Sequence, residues 1–270
     1  MRKARMRQSL CEKLAQARIR REPVHLVGAV ADWPALAKWT PEHLGRVAGE
    51  RAVKVVVGNR ESQAPVFKNM ALREFLSACF SEHPEEQRAY YLKEYDLLAE
   101  IPELASDLQL GDLAFPNTES WHYAWIGQSG GRTGFHYDIF NNILTQIVGR
   151  KELVVIPPES TAGMYPSAKF DTYARLSLVD GFNPDFLRFP RYRDALQSAS
   201  TYTLLPGDAL YIPRGFWHQA QSFTATISLS GFMANRWEKL TVQWPEAIRI
   251  ALHRLGLYKR GLCTCHSAES

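Results

Sequence analysis

Thr133-Gly-Phe-His136-Tyr-Asp138, read together with Gly207-Asp-Ala-Leu-Tyr-Ile-Pro-Arg-Gly-Phe-Trp-His218, is the part of this chain that decides its class. Alternate residues of an extended strand project to the same face. A strand over Gly134–Asp138 therefore sends His136 and Asp138 out together and turns Tyr137 away. A third ligand has to come from a neighbouring strand, and His218 stands at the end of a β-rich run. Gly207 and Asp208 supply a tight turn into Ala209–Ile212, and Pro213 and Gly215 re-aim the chain ahead of Trp217 and His218. Two imidazoles and one carboxylate on one face of an octahedral metal are the ligand set of a non-haem iron(II) (Fe2+) centre, and the opposite face stays open for a co-substrate and dioxygen (O2). His-x-Asp alone is weak in a chain with eight histidines. Its weight comes from coinciding with the second histidine, the Gly-Asp turn and Lys151, an isolated basic residue at the start of the strand after Asn142–Val148.

From Ser120 onward the chain is a series of short β-rich runs: His122–Ile126, Gly134–Asp138, Asn142–Val148, Glu152–Ile156, Thr201–Leu205, Ala209–Ile212 and Ala225–Phe232, most of them separated by Gly or Pro. Closely spaced short strands without alternating long helices predict an antiparallel sandwich or barrel. The N-terminal part is mixed. A short amphipathic helix over 7–20 precedes a strand in Pro23–Gly28 and a loop at Asp32-Trp-Pro. Thr40 as N-cap and Pro41 at the first helical position start a helix that Gly49 closes. Ala52–Val57 reads as a strand, Ala71–Phe80 as a helix and Tyr90–Leu92 as a short strand. Pro245–Tyr258 closes the chain as a helix with Ile248, Ala251, Leu252 and Leu255 at helical spacing. That apolar stripe predicts a homodimer through the C-terminal helix, with packing against its own barrel as the alternative.

The motifs resemble the core of JmjC-type, cupin-fold iron(II)/2-oxoglutarate oxygenases, and are closest to their small hydroxylase branch of protein arginyl and asparaginyl hydroxylases and the tRNA wybutosine hydroxylase. The family pattern is His-x-Asp, Asn six residues after the first His, Gly-x-Lys with Lys fifteen after it, and Ser or Thr three before it. Here these are His136, Asp138, Asn142, Gly149-Arg-Lys151 and Thr133. The Gly-Asp-x-x-x-Ile-Pro-x-x-x-Trp-His motif is matched through His218. Arg21-Glu-Pro-Val, the Asp32-Trp-Pro loop, Tyr91-Leu ahead of Ile101-Pro-Glu-Leu, and Asn183-Pro-Asp-Phe-Leu-Arg-Phe-Pro190 extend the likeness over roughly residues 21–235.

The resemblance implies a mainly β fold, a double-stranded β-helix (jelly-roll or cupin) core with N-terminal α/β elements and a C-terminal helix. It implies iron(II) held by His136, Asp138 and His218. Lys151 would meet the far carboxylate of 2-oxoglutarate, and Tyr91, Thr133 and Asn142 would hydrogen-bond the same co-substrate. Taken singly, Lys151 reads better as a surface lysine flanking a strand, and Tyr91 and Thr133 read equally as barrel packing. The implied reaction decarboxylates 2-oxoglutarate to succinate and hydroxylates a substrate. A carboxylate at Asp138 leaves no vacancy for a halide, which favours hydroxylation over halogenation. One departure stands out. The strand after the distal His often carries Asn or Trp near its end in this family, whereas this chain has Ser228-Leu-Ser230-Gly231-Phe232, which leaves a larger pocket.

Composition bounds the rest. The 270 residues are 46% hydrophobic and 22% charged, as in an ordinary globular protein, and no run of about 18 apolar residues predicts a membrane span. Cys11, Cys79, Cys263 and Cys265 show no disulfide framework, which suits a reducing cytosol and a cytoplasmic location. Cys263-Thr-Cys265-His266 lacks the second ligand pair of a structural metal site. Residues 1–21 hold eight basic side chains against Glu12, a local charge of +7, and 249–270 add +3. Taking these from the total of +4 leaves the middle at about −6. The expected organisation is a basic N-terminal arm (1–21), an oxygenase domain (22–235), a C-terminal helical segment (236–262) and a tail (263–270). Trp121, Tyr123, Trp125, Tyr137 and Trp217 cluster around the metal motifs, either as an aromatic mouth or as barrel core. A protein or ribosomally made peptide is the expected substrate. RNA, such as a modified tRNA base recognised through the basic arms, is the alternative, with a non-catalytic cupin as the third reading. Nothing in the chain resembles a chromatin-reader module.

Overall fold

The computed structural model describes residues 2–57, 66–81 and 89–263, with side chains from Gln8 onward. In chain order the N-terminal part runs α1 (Arg2–Arg20), β1 (Val24–Leu26), α2 (Ala35–Lys38), α3 (Pro41–Ala48), β2 (Ala52–Val57), β3 (Val66–Ala71), α4 (Leu72–Cys79), β4 (Tyr90–Tyr95) and α5 (Leu97–Glu100). The β-rich part follows as β5 (Thr118–Gly127), β6 (Arg132–Asp138), β7 (Asn141–Val148), β8 (Lys151–Ile156), β9 (Ala174–Leu176), α6 (Tyr192–Gln197), β10 (Ser200–Leu204), β11 (Ala209–Ile212), β12 (Trp217–Ser222) and β13 (Thr226–Asn235). After β13 come α7 (Arg236–Glu238), a π-helical turn over Lys239–Gln243, and α8 (Trp244–Arg254).

Two antiparallel sheets carry the fold, one ordered β1-β11-β7-β13-β5-β4-β2-β3 and the other β10-β8-β12-β6-β9. From β5 to β8, and again from β10 to β13, consecutive strands alternate between the two sheets. That alternation makes a double-stranded β-helix. Inward side chains of both sheets meet in one cluster, Leu144, Leu153, Val155, Leu204, Leu210 and Ile212. Strand β7 is buried over nearly its whole length, which fits its continuous Ile-Leu-Thr-Gln-Ile-Val sequence. One face looks into the barrel. The other, through Ile143 and Ile147, joins the larger core under the N-terminal helices.

The helices read from the sequence recur with shifted ends, α1 starting at Arg2 ahead of residue 7 and α8 ending at Arg254 ahead of Tyr258. Thr40 Oγ1 accepts from the backbone N of His43 at 3.2 Å, with Pro41 at the first position of α3. Helix α1 is held to the body: Leu14 and Ala17 belong to the large core, and the Arg18 guanidinium stacks 4.6 Å from the Phe115 ring. Three strands differ from the sequence reading. β3 and β9 lie in stretches with little alternation. His218 is the second residue of a new strand, β12, instead of ending the run Ala209–Ile212, because Gly215 (φ 84°) turns the chain onto the other sheet between them. Asp208 pins that approach. Its carboxylate accepts from Gly28 N at 2.9 Å and Leu205 N at 3.1 Å, and His25 Nε2 lies 3.2 Å away. No helix among the described residues is long and apolar enough to cross a membrane.

Candidate metal centre

His136 and Asp138 project from β6 and His218 from β12. The antiparallel register sets His218 opposite His136, with an irregularity just after it at Ala220. The ligand atoms of all three residues lie within 4.8 Å of one another, and theirs is the single such group among the described residues. Asp138 stands between the imidazoles, its Oδ1 3.8 Å from His136 Nε2 and its Oδ2 3.6 Å from His218 Nε2. Each ring is oriented by its other nitrogen. His136 Nδ1 donates to Gly134 O at 2.9 Å, and His218 Nδ1 donates to Phe216 O at 3.0 Å. Tying Nδ1–H to a backbone carbonyl leaves Nε2 with its lone pair toward the cluster, the tautomer a metal needs.

The triad opens into a pocket of about 390 Å³ between the two sheets. All seven residues singled out in the sequence line it: Tyr91, Thr133, His136, Asp138, Asn142, Lys151 and His218. Asn142 Nδ2 donates to Asp138 Oδ2 at 3.3 Å and to Ser230 Oγ at 3.4 Å, so it helps orient the carboxylate. Its Oδ1 is buried without a hydrogen-bond partner among the described residues. Thr133 Oγ1 donates to the Tyr91 hydroxyl at 3.4 Å. Lys151 is 2% exposed, and it forms no ion pair among the described residues. Desolvation pulls its ammonium down to about 7 from the ordinary lysine value. An uncompensated buried cation and an orphaned amide oxygen are both costly features, and they face the same cavity. The residues fit the implied groups: a facial two-imidazole, one-carboxylate set for iron(II), and at the other end of the pocket a cation for a dicarboxylate co-substrate.

The sequence reading missed part of the wall. Leu144, Leu153 and Ala220 line the pocket two residues beyond Asn142, Lys151 and His218, so strand periodicity applied to the named residues finds them. Trp125, Ile212 and Ser230 complete the lining. Gly127 has a hidden role. A Cβ there would lie 2.3 Å from the Tyr91 ring, so only glycine lets that ring lie against β5. Gly149 (φ 76°) makes the turn that brings Lys151 to the start of β8. The aromatic residues divide. Trp125 faces the pocket, whereas Trp217 is fully buried, donates Nε1–H to Thr161 Oγ1 at 3.0 Å and packs edge-on with Tyr137 at 4.8 Å. Ser230 gives the pocket wall a small side chain, whereas Gly231 lies on the other face, where a Cβ would meet the His122 ring at 3.3 Å, and Ser228 hydrogen-bonds Gln146 at 2.7 Å. Cys265 and His266 lie outside the described residues, as do the side chains of Arg2, Lys3, Arg5 and Arg7.

The model of the cupin-like domain family matches residues 12–237. The chain belongs to the cupin-like JmjC family. It is 34% identical over 216 residues to lysine-specific demethylase 8 of Xenopus tropicalis, covering 77% of this chain and 47% of that protein. It is 30% identical over 220 residues to Jumonji C domain-containing protein 5 of Drosophila melanogaster, covering 77% and 54%. With human HSPB1-associated protein 1 the identity is 28% over 235 residues, covering 78% and 48%. The chain thus spans about half the length of the curated relatives it matches. The cupin-like match starts inside α1, in line with the anchoring of that helix by Leu14 and Ala17.

Proposed function

We propose that this JmjC protein is an iron(II)/2-oxoglutarate-dependent oxygenase that hydroxylates a side chain of a protein or peptide. The observation that carries the reading is the convergence of His136, Asp138, His218, Asn142 and Lys151 on one pocket. Iron(II) with 2-oxoglutarate and O2 supplies the oxidising chemistry, converting co-substrate to succinate and carbon dioxide while one oxygen atom enters a substrate C–H bond. The protein's residues do the rest. His136, Asp138 and His218 would hold the metal, with the rings fixed by Gly134 O and Phe216 O. Lys151 receives the far carboxylate in a charge-assisted contact. Tyr91 and Thr133 bracket the same end, and Asn142 offers its unpartnered Oδ1 toward the cavity while its amide holds Asp138. Leu144, Leu153 and Ile212 keep water from the reacting face.

Relatives carry names of demethylases acting on lysine and of a protein associated with HSPB1, which supports a polypeptide as substrate. The test is to incubate the purified, iron-loaded chain with 2-oxoglutarate and peptides bearing unmodified or N-methylated basic side chains, then follow succinate and peptide mass. A stable gain of one oxygen is expected. Loss of a methyl group with release of formaldehyde would change the outcome from hydroxylation to demethylation. No peptide product, with oxygen entering a tRNA base instead, would replace the substrate class.

A further inference from the structure

Strands β5, β7 and β13 line a second cavity on the side away from the metal. Alternate residues of a strand face opposite ways. On β7, Asn142 and Leu144 turn to the metal pocket, and Ile143 and Thr145 turn to its reverse. On β13, Ser230 looks into the first cavity, and Leu229 and Gly231 into the second. On β5, Trp125 belongs to the metal pocket and His122 to the reverse. The register keeps these floor residues together. Gly231 pairs with His122 on one side and with Ile143 on the other, and Leu229 pairs with Thr145. The reverse cavity measures about 320 Å³, and Trp33, Leu110 and Leu113, from segments ahead of β5, close it.

Trp33 gives this cavity a chemical demand. It is 2% exposed, and its indole Nε1–H has no hydrogen-bond acceptor among the described residues. Its loop is fixed, because Trp33 N donates to Val30 O at 3.0 Å and Trp33 O accepts from Leu36 N at 3.1 Å. A buried indole N–H normally finds an acceptor, since an unmade bond leaves the donor's desolvation uncompensated. The lining holds no Asp, Glu, Lys or Arg. Burial holds the His122 imidazole below the ordinary histidine value, in its neutral form. A carboxylate or an ammonium would therefore be desolvated there without a counter-charge. Leu110, Leu113, Leu229 and Met233 supply apolar wall.

We propose that the reverse cavity binds a small uncharged organic molecule, mainly apolar, whose carbonyl oxygen accepts from Trp33 Nε1–H. The sheet stands between that molecule and His136, Asp138 and His218, so it is neither the co-substrate nor the compound oxidised. It packs on the back of the strands whose other face carries Asn142 and Ser230, the pair beside the Asp138 carboxylate. Ala114 and Ser120 line the cavity and are exposed, which puts its entrance at the start of β5.

The probe is cyclohexanone, with methylcyclohexane and cyclohexanecarboxylate as controls. In the nitrogen-labelled chain, the indole N–H resonance that Trp33→Phe removes should move downfield with cyclohexanone and saturate. Methylcyclohexane has no acceptor. It should leave out that downfield shift and bind up to about tenfold more weakly, the worth of one net hydrogen bond. Cyclohexanecarboxylate should not bind. Ala114→Phe, at the entrance, should abolish the ketone's effect with circular dichroism unchanged, and it carries the test if Trp33→Phe does not fold. Calorimetry of the wild-type chain needs no variant, and it should find one ketone site whose affinity excess 2-oxoglutarate does not alter. Competition with 2-oxoglutarate would put the ketone in the metal pocket and overturn the assignment. Ketone binding that survives Ala114→Phe overturns it too, as does a Trp33 resonance that exchanges with water and ignores the ketone. None of these readings uses iron or turnover, so their failure leaves the oxygenase reading untouched.

Discussion

The pocket and the C-terminal helix break the ordinary rule of burial in opposite senses. Inside the barrel, Lys151 and the Asn142 carbonyl are polar groups taken out of water and, among the described residues, left without an ion pair or a hydrogen bond respectively. On the helix, Trp237, Trp244, Ile248 and Leu255 are apolar groups left in water. Each arrangement costs stability unless something else occupies it. The polar groups of the pocket fit a metal and a dicarboxylate, and the helix leaves an apolar face uncovered among the described residues. The buried ion pair Arg175–Glu246 joins the two, because it fixes the helix to β9, the strand beside the metal ligands.

The largest effect expected is at the ligands. His136→Ala or Asp138→Ala should weaken iron(II) binding by more than about 100-fold, beyond what loss of a supporting hydrogen bond does, and abolish succinate formation. Titration with iron(II) under anaerobic conditions checks the first part, and succinate release the second. Wild-type metal affinity in His218→Ala would remove that residue from the set.

Lys151 tests the cost of a polar group kept for a ligand. Lys151→Ala should lose about 2–5 kcal/mol of 2-oxoglutarate binding, because a carboxylate is left without its partner, while iron affinity stays put. Lys151→Met should raise the melting temperature of the unliganded chain, since it removes a desolvated cation. The sign of the pH dependence follows from the lowered ammonium, at about 7 in the unliganded chain against 10.5 for an ordinary lysine. Above about pH 7 the free protein must take up a proton to pair with the co-substrate. Affinity for 2-oxoglutarate should then fall as pH rises, by at most tenfold per unit, and be flat below 7. Stability of the unliganded chain should rise over the same window, because the unfolded chain holds the extra proton there. Calorimetry in buffers of different ionisation enthalpy measures the proton uptake. A flat affinity between about pH 7 and 9 would mean that Lys151 keeps its proton in the unliganded chain, and Lys151→Ala then decides the contact.

Much of the pocket was legible in the chain because strand chemistry is local. His136 and Asp138 share a face by the period of two, and Asn142, Lys151 and Thr133 sit at fixed offsets from the first histidine. The rest was not, because it depends on which strands become neighbours. Gly127 is informative only once Tyr91 is known to lie over it. His218 looked like the end of a run and lies second in a new strand, since Gly215 sends the chain across to the other sheet. Strand β9 is three residues long, and the Arg175–Glu246 pair spans 71 positions. The stripe on α8 was visible as a stripe, but the burial of its opposite, polar face was not, because no local pattern announces that Arg175 waits beneath it.

The link between the two regions is the next effect in size. Glu246→Ala should destabilise the chain by roughly 3–5 kcal/mol, since it strands the half-buried guanidinium of Arg175. In a domain of this size that is a fall in melting temperature on the order of 10 °C. Thermal unfolding measures it. A loss no larger than that of an exposed substitution would mean that the helix is not tied to the barrel through this pair.

The smallest effect separates the barrel from its basic N-terminal helix. Deleting residues 1–20 would remove Leu14 and Ala17 from the core and confound any reading of substrate. Lys13 and Arg20 are exposed and outside the core, so Lys13→Gln with Arg20→Gln should change stability by no more than about 0.5 kcal/mol. If the substrate is a polypeptide held in the pocket, turnover and its salt dependence should stay as they are. RNA binding behaves otherwise, because each phosphate-contacting cation contributes about 0.7 to 0.9 to the slope of log affinity against log salt. Two neutralised contacts should then lower that slope by roughly 1.5 and weaken binding across all sequences. Turnover at several salt concentrations, for wild type and the double variant side by side, decides it. Superimposed salt profiles favour the peptide, and a flattened profile in the variant gives the basic helix to RNA.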